Sequence, residues 1–213
     1  MLKERRGILA AGMALLLSAG GMTGGAEAQQ SLNDDQSFVV SKVEDYLRSL
    51  DTMQGDFKQI GPTGNITTGR FYLRRPGRLR FEYDPPANIL IVSDGFWLVL
   101  QDRELENFNR FPVFDTPLGA LVADEIDLLA WAEVLNVTNQ RGLLELTLQD
   151  RKKPEEGWLR LSFTRPPLRL RQWRVLDAQG GLTTVSLSNV ETGMPLPHSL
   201  FVFDEPAPST QEN

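Results

Sequence analysis

Val39, Val40, Val43, Leu47 and Leu50 recur at steps of three and four among polar neighbours. That spacing draws one apolar stripe along an α-helix, and Asn33, Asp34 and Asp35 stand where its first turn needs capping. Phe38 falls off the stripe. The helix is expected to lie as a lid on a sheet.

After residue 52 the period shortens to two. Met53, Gly55 and Phe57 alternate with Gln54, Asp56 and Lys58, and a Gly61-Pro62-Thr63-Gly64 turn follows. Phe71 and Leu73 then alternate with Arg70, Tyr72 and Arg74. After Pro76-Gly77, Leu79, Phe81 and Tyr83 alternate with Arg78, Arg80 and Glu82 until Pro85-Pro86 stops the strand. These are strands with one covered face. Residues 89–92 and 96–100 flank Ser93-Asp94-Gly95, a hairpin signal, and are apolar on both faces, which predicts cover on each side. Thr116-Pro117 opens a short helix, with a further turn of helix over 127–131. Strands are expected near 134–138, 143–149, 157–164, 168–176 and 182–191, with a last one around 200–203. Gly-containing turns at Arg141-Gly142, Glu156-Gly157, Gly180-Gly181 and Gly193 separate most of them.

About ten to twelve consecutive strands with short connections predict a mainly β protein built on one large antiparallel meander. A sheet of that size curls toward a barrel or half barrel, and its concave face must be filled by side chains, helices or a ligand.

The two ends read differently. Lys3, Arg5 and Arg6 precede a 12-residue apolar run over 8–19 and a Gly-rich stretch ending Ala26-Glu27-Ala28, the pattern of a cleaved secretory signal. Arg5-Arg6 leaves the general secretory and twin-arginine routes both open. The expected organisation is a signal over 1–28, one domain over 29–205 and a disordered polar tail over 206–213. Net charge is −6 for the whole chain and −7 without the signal, so no attraction to nucleic acid is expected.

With no cysteine, disulfide scaffolds, thiol catalysis, zinc–cysteine sites and an N-terminal lipid anchor are excluded. His198 is the only histidine, which removes multi-histidine metal sites. Asp34-Asp35, Asp124, Glu125, Asp127 and Glu155-Glu156 are explained by helix starts and turns, and no spacing pairs two of them as acid and base. The chain is expected to have no catalytic residue, no metal and no cofactor, and not to be an enzyme.

Arg70, Arg74, Arg78 and Arg80 fall on the polar face of their strands, where solvation explains them. Arg75 shares parity with Phe71 and Leu73 and points into the apolar face. A guanidinium there needs acceptors or loses several kcal/mol of solvation. Free carbonyls at a helix C-terminus or a crossing loop would serve, and so would water reached by snorkelling.

Five features in order resemble the LolA family of periplasmic lipoprotein carriers. They are a signal without a lipid-anchoring cysteine, Tyr46-Leu47 through Phe57-Lys58-Gln59, Gly69 through Leu73-Arg74-Arg75-Pro76 into Leu79-Arg80-Phe81, Ile89-Leu90-Ile91-Val92-Ser93-Asp94-Gly95, and Thr116-Pro117-Leu118. The resemblance covers 38–123 well, and later strands only in rhythm. It implies an incomplete antiparallel β-barrel with an α-helical lid over a hydrophobic cavity. It implies a periplasmic monomer that takes acylated lipoproteins from a LolCDE-type ABC transporter of the inner membrane to an outer-membrane receptor of LolB type. Arg75 matches the family arginine that hydrogen-bonds the lid and holds the empty form closed. Leu79 matches a position that is aromatic in some members and matters for transfer.

Apolar parity makes Phe57, Phe71, Leu73, Leu79, Phe81, Tyr83 and Trp97 the candidate acyl-chain cavity and Leu118, Leu121 and Val122 the lid. The competing reading is a periplasmic binding protein for another amphiphile, a phospholipid or glycolipid. A LolB-type receptor would need the missing cysteine.

Overall fold

The computed structural model describes residues 33–105 and 107–205. The expected signal over 1–28 and tail over 206–213 lie outside the described residues. Eleven strands hydrogen-bond into one sheet, in the order β6-β5-β4-β3-β2-β1-β11-β10-β9-β8-β7. The sheet is antiparallel and open, but it is not the single consecutive meander expected, which would end on β1 and β11: β1 pairs with β11, and the edges are β6 and β7, the two strands joined through the short helices. The chain divides into two compact units: one takes the residues through Ser49, Phe57–Thr67 and Asp127–Ser188, the other Leu50–Asp56, Thr68–Ile126 and the chain from Asn189 onward.

The first unit is built around α1 (Asp34–Arg48). Asn33 caps it: its side chain accepts from the Gln36 N–H at 2.8 Å, and the Gln36 side chain accepts from the Asn33 N–H at 3.1 Å. This reciprocal box satisfies two otherwise orphaned donors. Val40, Val43 and Leu47 of the stripe are buried, and Phe38 is 62% exposed. The short α3 (Leu128–Trp131) is capped by Asp127, which the expected turn over 127–131 counts within the helix. Its first N–H, on Leu128, donates to Glu44 Oε1 of α1 at 2.7 Å. Strands β7 (Ala132–Gln140), β8 (Leu143–Asp150), β9 (Trp158–Thr164), β10 (Arg169–Leu176) and β11 (Leu182–Thr192) follow. Leu146, Leu161 and Phe163 are fully buried. The Tyr46 ring meets Phe163 edge-on at 5.8 Å, and its hydroxyl accepts from the Leu170 N–H at 3.0 Å.

The second unit begins with the start of β1 (Thr52–Ile60), whose burial alternates as the period of two requires. It continues through β2 (Ile66–Arg74), β3 (Arg78–Tyr83), β4 (Ile89–Asp94), β5 (Trp97–Asp102) and β6 (Asn107–Pro112) to a 3₁₀ turn at Val113–Asp115 and α2 (Pro117–Val122). β6 carries no predictive pattern: it is a sheet edge, largely exposed, and its sequence Asn-Phe-Asn-Arg-Phe-Pro lacks a continuous apolar face.

Three expectations are corrected in this unit. The strand expected around 200–203 is a 3₁₀ turn, His198–Phe201, entered through Pro197, whose carbonyl accepts from the Leu200 N–H. Phe96 is 60% exposed, so β4 and β5 are not covered on both sides throughout; Leu98 and Val99 are buried while the residues at the turn project to solvent. Nor are all the polar-face arginines solvated. Arg74 donates to the Leu196 carbonyl at 2.9 Å and lies over the Phe201 ring, and Arg80 donates to the Leu200 carbonyl at 3.0 Å. The C-terminal segment crosses this face and supplies carbonyl acceptors, which no alternation in β2 or β3 could announce.

Candidate functional site

The Arg75-Pro76-Gly77 turn joins β2 to β3, and it is where this unit brings its predicted polar and apolar residues together. Across the pair, Phe71 sits opposite Phe81 and Leu73 opposite Leu79. The two phenylalanine rings stack at 5.9 Å. Phe71 and Leu79 are each 1% exposed, and Phe81 is buried. Tyr83 faces Gly69 across the pair; it and Leu73 are half-buried. Opposed aromatic and branched side chains of this kind hold adjacent strands in register.

Gly77 is required where it stands. Its φ is +68°, and a Cβ there would come within 2.6 Å of the Gly95 carbonyl oxygen and 2.9 Å of the Gly95 Cα. The β2–β3 turn is therefore pressed against the β4–β5 turn, leaving no room for a side chain. In that second turn the Asp94 carboxylate accepts from the Phe96 and Trp97 N–H groups at 2.8 and 2.9 Å.

The helix α2 starts as its sequence predicts. Thr116 is the N-cap, its hydroxyl accepting from the Gly119 N–H at 3.2 Å, and Pro117 takes the first position. With six residues, α2 is too short to satisfy many of its own carbonyls. The β2–β3 turn takes them up. The Gly77 N–H donates to the Val122 carbonyl at 2.7 Å. Arg75 Nε donates to the Ala123 carbonyl at 3.1 Å, Nη2 donates to the same oxygen, and Nη2 also donates to the Asp124 carbonyl at 2.9 Å. The Arg75 N–H donates to the Asp51 carbonyl at 2.9 Å. Of the two fates open to this inward-pointing arginine, the carbonyls after a helix are the one observed. A charged donor is also favoured at that end by the helix dipole.

The other predicted residues are less concentrated. Leu121 and Val122 are buried in α2; the Leu118 side chain lies outside the described residues. Phe57 is 2% exposed and belongs to the unit of α1. Trp97 is 39% exposed and meets Phe96 edge-on at 5.1 Å. What sequence reasoning missed here is backbone: the carbonyls of Val122, Ala123 and Asp124 and the N–H of Gly77 carry no residue-type signal. Among the described residues, no group of three or more His, Asp or Glu could hold a metal ion, and no helix is long and apolar enough to cross a membrane.

Residues 48–204 match the family model described as outer membrane lipoprotein carrier protein LolA. A Methylococcus capsulatus protein named outer-membrane lipoprotein carrier protein is 30% identical over 177 residues, covering 78% of this chain and 84% of its own length. A Leptothrix cholodnii protein of the same name is 29% identical over 218 residues, covering 96% of this chain and 95% of its own. Among solved structures, an uncharacterized conserved protein from Thermus thermophilus superposes with a TM-score of 0.50 at 10% identity, covering 81% of this chain and 96% of its own, a likeness of fold alone.

Proposed function

This chain belongs to the LolA family of outer membrane lipoprotein carrier proteins, and on that premise we propose that it binds the acyl chains of lipoproteins released from the inner membrane and delivers them, reversibly and without covalent chemistry, to the outer membrane. Proteins of this family are carriers, not enzymes. The signal-like pattern over 1–28 supports work in the periplasm, between a LolCDE-type transporter and a LolB-type receptor.

The observation that carries this reading is the join between α2 and the β2–β3 turn. Acyl chains in water cost about 0.8 kcal/mol per methylene, so cargo needs an enclosed apolar surface rather than a patch. Phe71, Leu73, Leu79, Phe81 and Tyr83 offer such a surface; its centre, with Phe71 and Leu79 each 1% exposed, is shielded from water, while Leu73 and Tyr83 are half-buried. Taking up a chain therefore requires an element to move. The lid in this reading is α2, six residues long, with Leu121 and Val122 on its buried side and Arg75 as its latch. Hydrogen bonds from a charged donor are worth about 1.5–3 kcal/mol each when buried and less at a half-exposed site such as this. That is enough to hold an empty carrier shut and little enough for cargo to reverse.

The test uses inner-membrane vesicles carrying labelled lipoproteins, ATP and the purified protein. Release of lipoprotein in a one-to-one soluble complex is expected, with release or onward transfer impaired in Arg75→Leu. Free phospholipid or glycolipid in the purified protein, with no lipoprotein released, would move the function to another amphiphile. Transport by Arg75→Leu at the wild-type rate would remove the latch.

A further inference from the structure

In the unit of α1, the sheet of β8, β9 and β10 buries Leu146, Leu161 and Phe163 on one face. The opposite face is basic. Thr147, Arg160 and Arg174 stand in register across it. Arg171, at the irregularity in β10, lies on the same face, its Nε donating to the Thr164 hydroxyl at 3.4 Å, and Arg169 is the register partner of Thr164. Beyond the row of Arg160 and Arg174 comes an apolar row of Trp158, Leu176 and Leu182, the last 41% exposed. We propose that this face docks an acidic, extended peptide segment of a partner protein, with an apolar residue of that segment resting against Trp158 and Leu182.

The charges on this face are uncompensated. Arg160 and Arg174 are directly opposite one another, and like charges so placed destabilise a ladder until an anion joins them. Among the described residues none of the four arginines forms an ion pair. Yet the chain has 28 acidic residues against 22 lysines and arginines, so carboxylates are not scarce. Glu145, on the same face, accepts from the Ser162 hydroxyl at 3.0 Å instead.

The two central guanidiniums are also held in place. Arg160 lies over the Trp158 ring at 4.9 Å, and its Nε donates to the Thr147 hydroxyl at 3.0 Å. Arg174 Nε and Nη2 donate to the Gln172 side-chain oxygen at 2.7 and 3.2 Å, in the amide orientation that its surroundings require. Each keeps N–H groups for a carboxylate, and a donor fixed beforehand loses little entropy on binding. The strip is linear, about 15 Å from Arg169 to Arg174 at the rise of a strand, which matches a short extended peptide. An anionic bilayer fits less well. Arg160 and Arg174 are half-buried against the sheet, and the rest of a chain of net charge −6 is repelled by such a surface. The inference uses the unit of α1 alone and depends on neither the α2 latch nor the cargo.

Fluorescence anisotropy of the purified protein with a labelled hexapeptide of five glutamates and one phenylalanine, placed first or last, tests it. The controls carry glutamines or lysines in place of the glutamates. The glutamate peptide is expected to bind at least tenfold tighter than the glutamine one, and the lysine one not at all. Its affinity should fall steeply between about 20 mM and about 150 mM salt as screening grows. Arg160→Gln with Arg174→Gln should weaken it at least tenfold, while the melting temperature holds or rises because opposed like charges are gone. Glu145→Gln should instead tighten it several-fold by removing a carboxylate that repels the peptide. The Trp158 indole N–H resonance should shift on addition of the glutamate peptide, and Trp158→Ser should erase the preference for phenylalanine over glycine at the peptide's end. Equal affinity for the glutamate and glutamine peptides, or unchanged binding in the double arginine variant, overturns the proposal. Capture of the wild type but not of that variant by phosphatidylglycerol vesicles, with no binding of the peptide, would make this a membrane face and also overturn it.

Discussion

The helices α1 and α2 are held by different physics. The 15 residues of α1 bury Val40, Val43 and Leu47 and carry a full capping box. Glu44 and Tyr46 then tie it to α3 and β10 through side-chain bonds. The six residues of α2 bury Leu121 and Val122, and the carbonyls at and just after its end go to Gly77 and Arg75. A helix fixed by packing is released only when its core unfolds. One that buries two apolar side chains and is tied at its end by polar bonds can open at a fraction of the global stability. On the reading proposed above, the difference assigns motion to the short helix and permanence to the long one.

The comparison can be broken from either side. Phe163→Ala, beneath Tyr46 in the fully buried core of the α1 unit, should have the largest effect, a loss of about 3–5 kcal/mol in chemical denaturation. A loss below about 1 kcal/mol would mean that α1 is not held by packing. Gly77→Ala follows, at about 2–3 kcal/mol, because the new Cβ must displace the β4–β5 turn and adopt a positive φ. Its signature should be early hydrogen exchange in α2 and β2–β3, with the amides of α1 protected as before.

Arg75→Leu is expected to cost less, about 1–2 kcal/mol in global stability, since the guanidinium is half-exposed. Exchange of the Gly77 amide should nevertheless accelerate, because its acceptor lies at the end of α2. Equal slowing or speeding of exchange across the whole chain would show that α2 does not open by itself. Tyr46→Phe should have the smallest effect, about 1 kcal/mol, keeping the ring contact with Phe163 and losing the acceptor of the Leu170 N–H. It also sharpens the pH behaviour. Because the Tyr46 pKa is raised in the folded protein, its contribution is complete below the ordinary tyrosine value of 10.0 and is lost as the pH rises through the folded value. The phenylalanine variant should lose less stability than the wild type above about pH 10, measured by urea midpoints.

Much of this architecture is legible in particular residues. Asn33 and Thr116 cap the helices they precede because a short polar acceptor before a helix satisfies free N–H groups whatever lies around it. The alternation of Met53, Gly55 and Phe57 fixes which face of β1 is buried, since the side-chain period of a strand is two. The parity of Arg75 set it on the apolar side before any partner was known. Such features depend on neighbours within a few positions, so the chain alone determines them.

Other features required the chain to fold back. β6 has no apolar alternation because an edge strand needs only one neighbour. Arg74 and Arg80 follow the pattern of solvated residues, yet carbonyls from a segment 122 and 120 residues away accept from them. The acceptors of Arg75 lie 48 and 49 residues on, at Ala123 and Asp124, and are backbone atoms that any residue would supply. The sequence alone therefore determined the elements, their caps and their buried faces, which are set by local geometry. Only the tertiary structure decided which carbonyls meet which guanidinium, because backbone acceptors are the same at every position and distance in sequence says nothing of where they arrive.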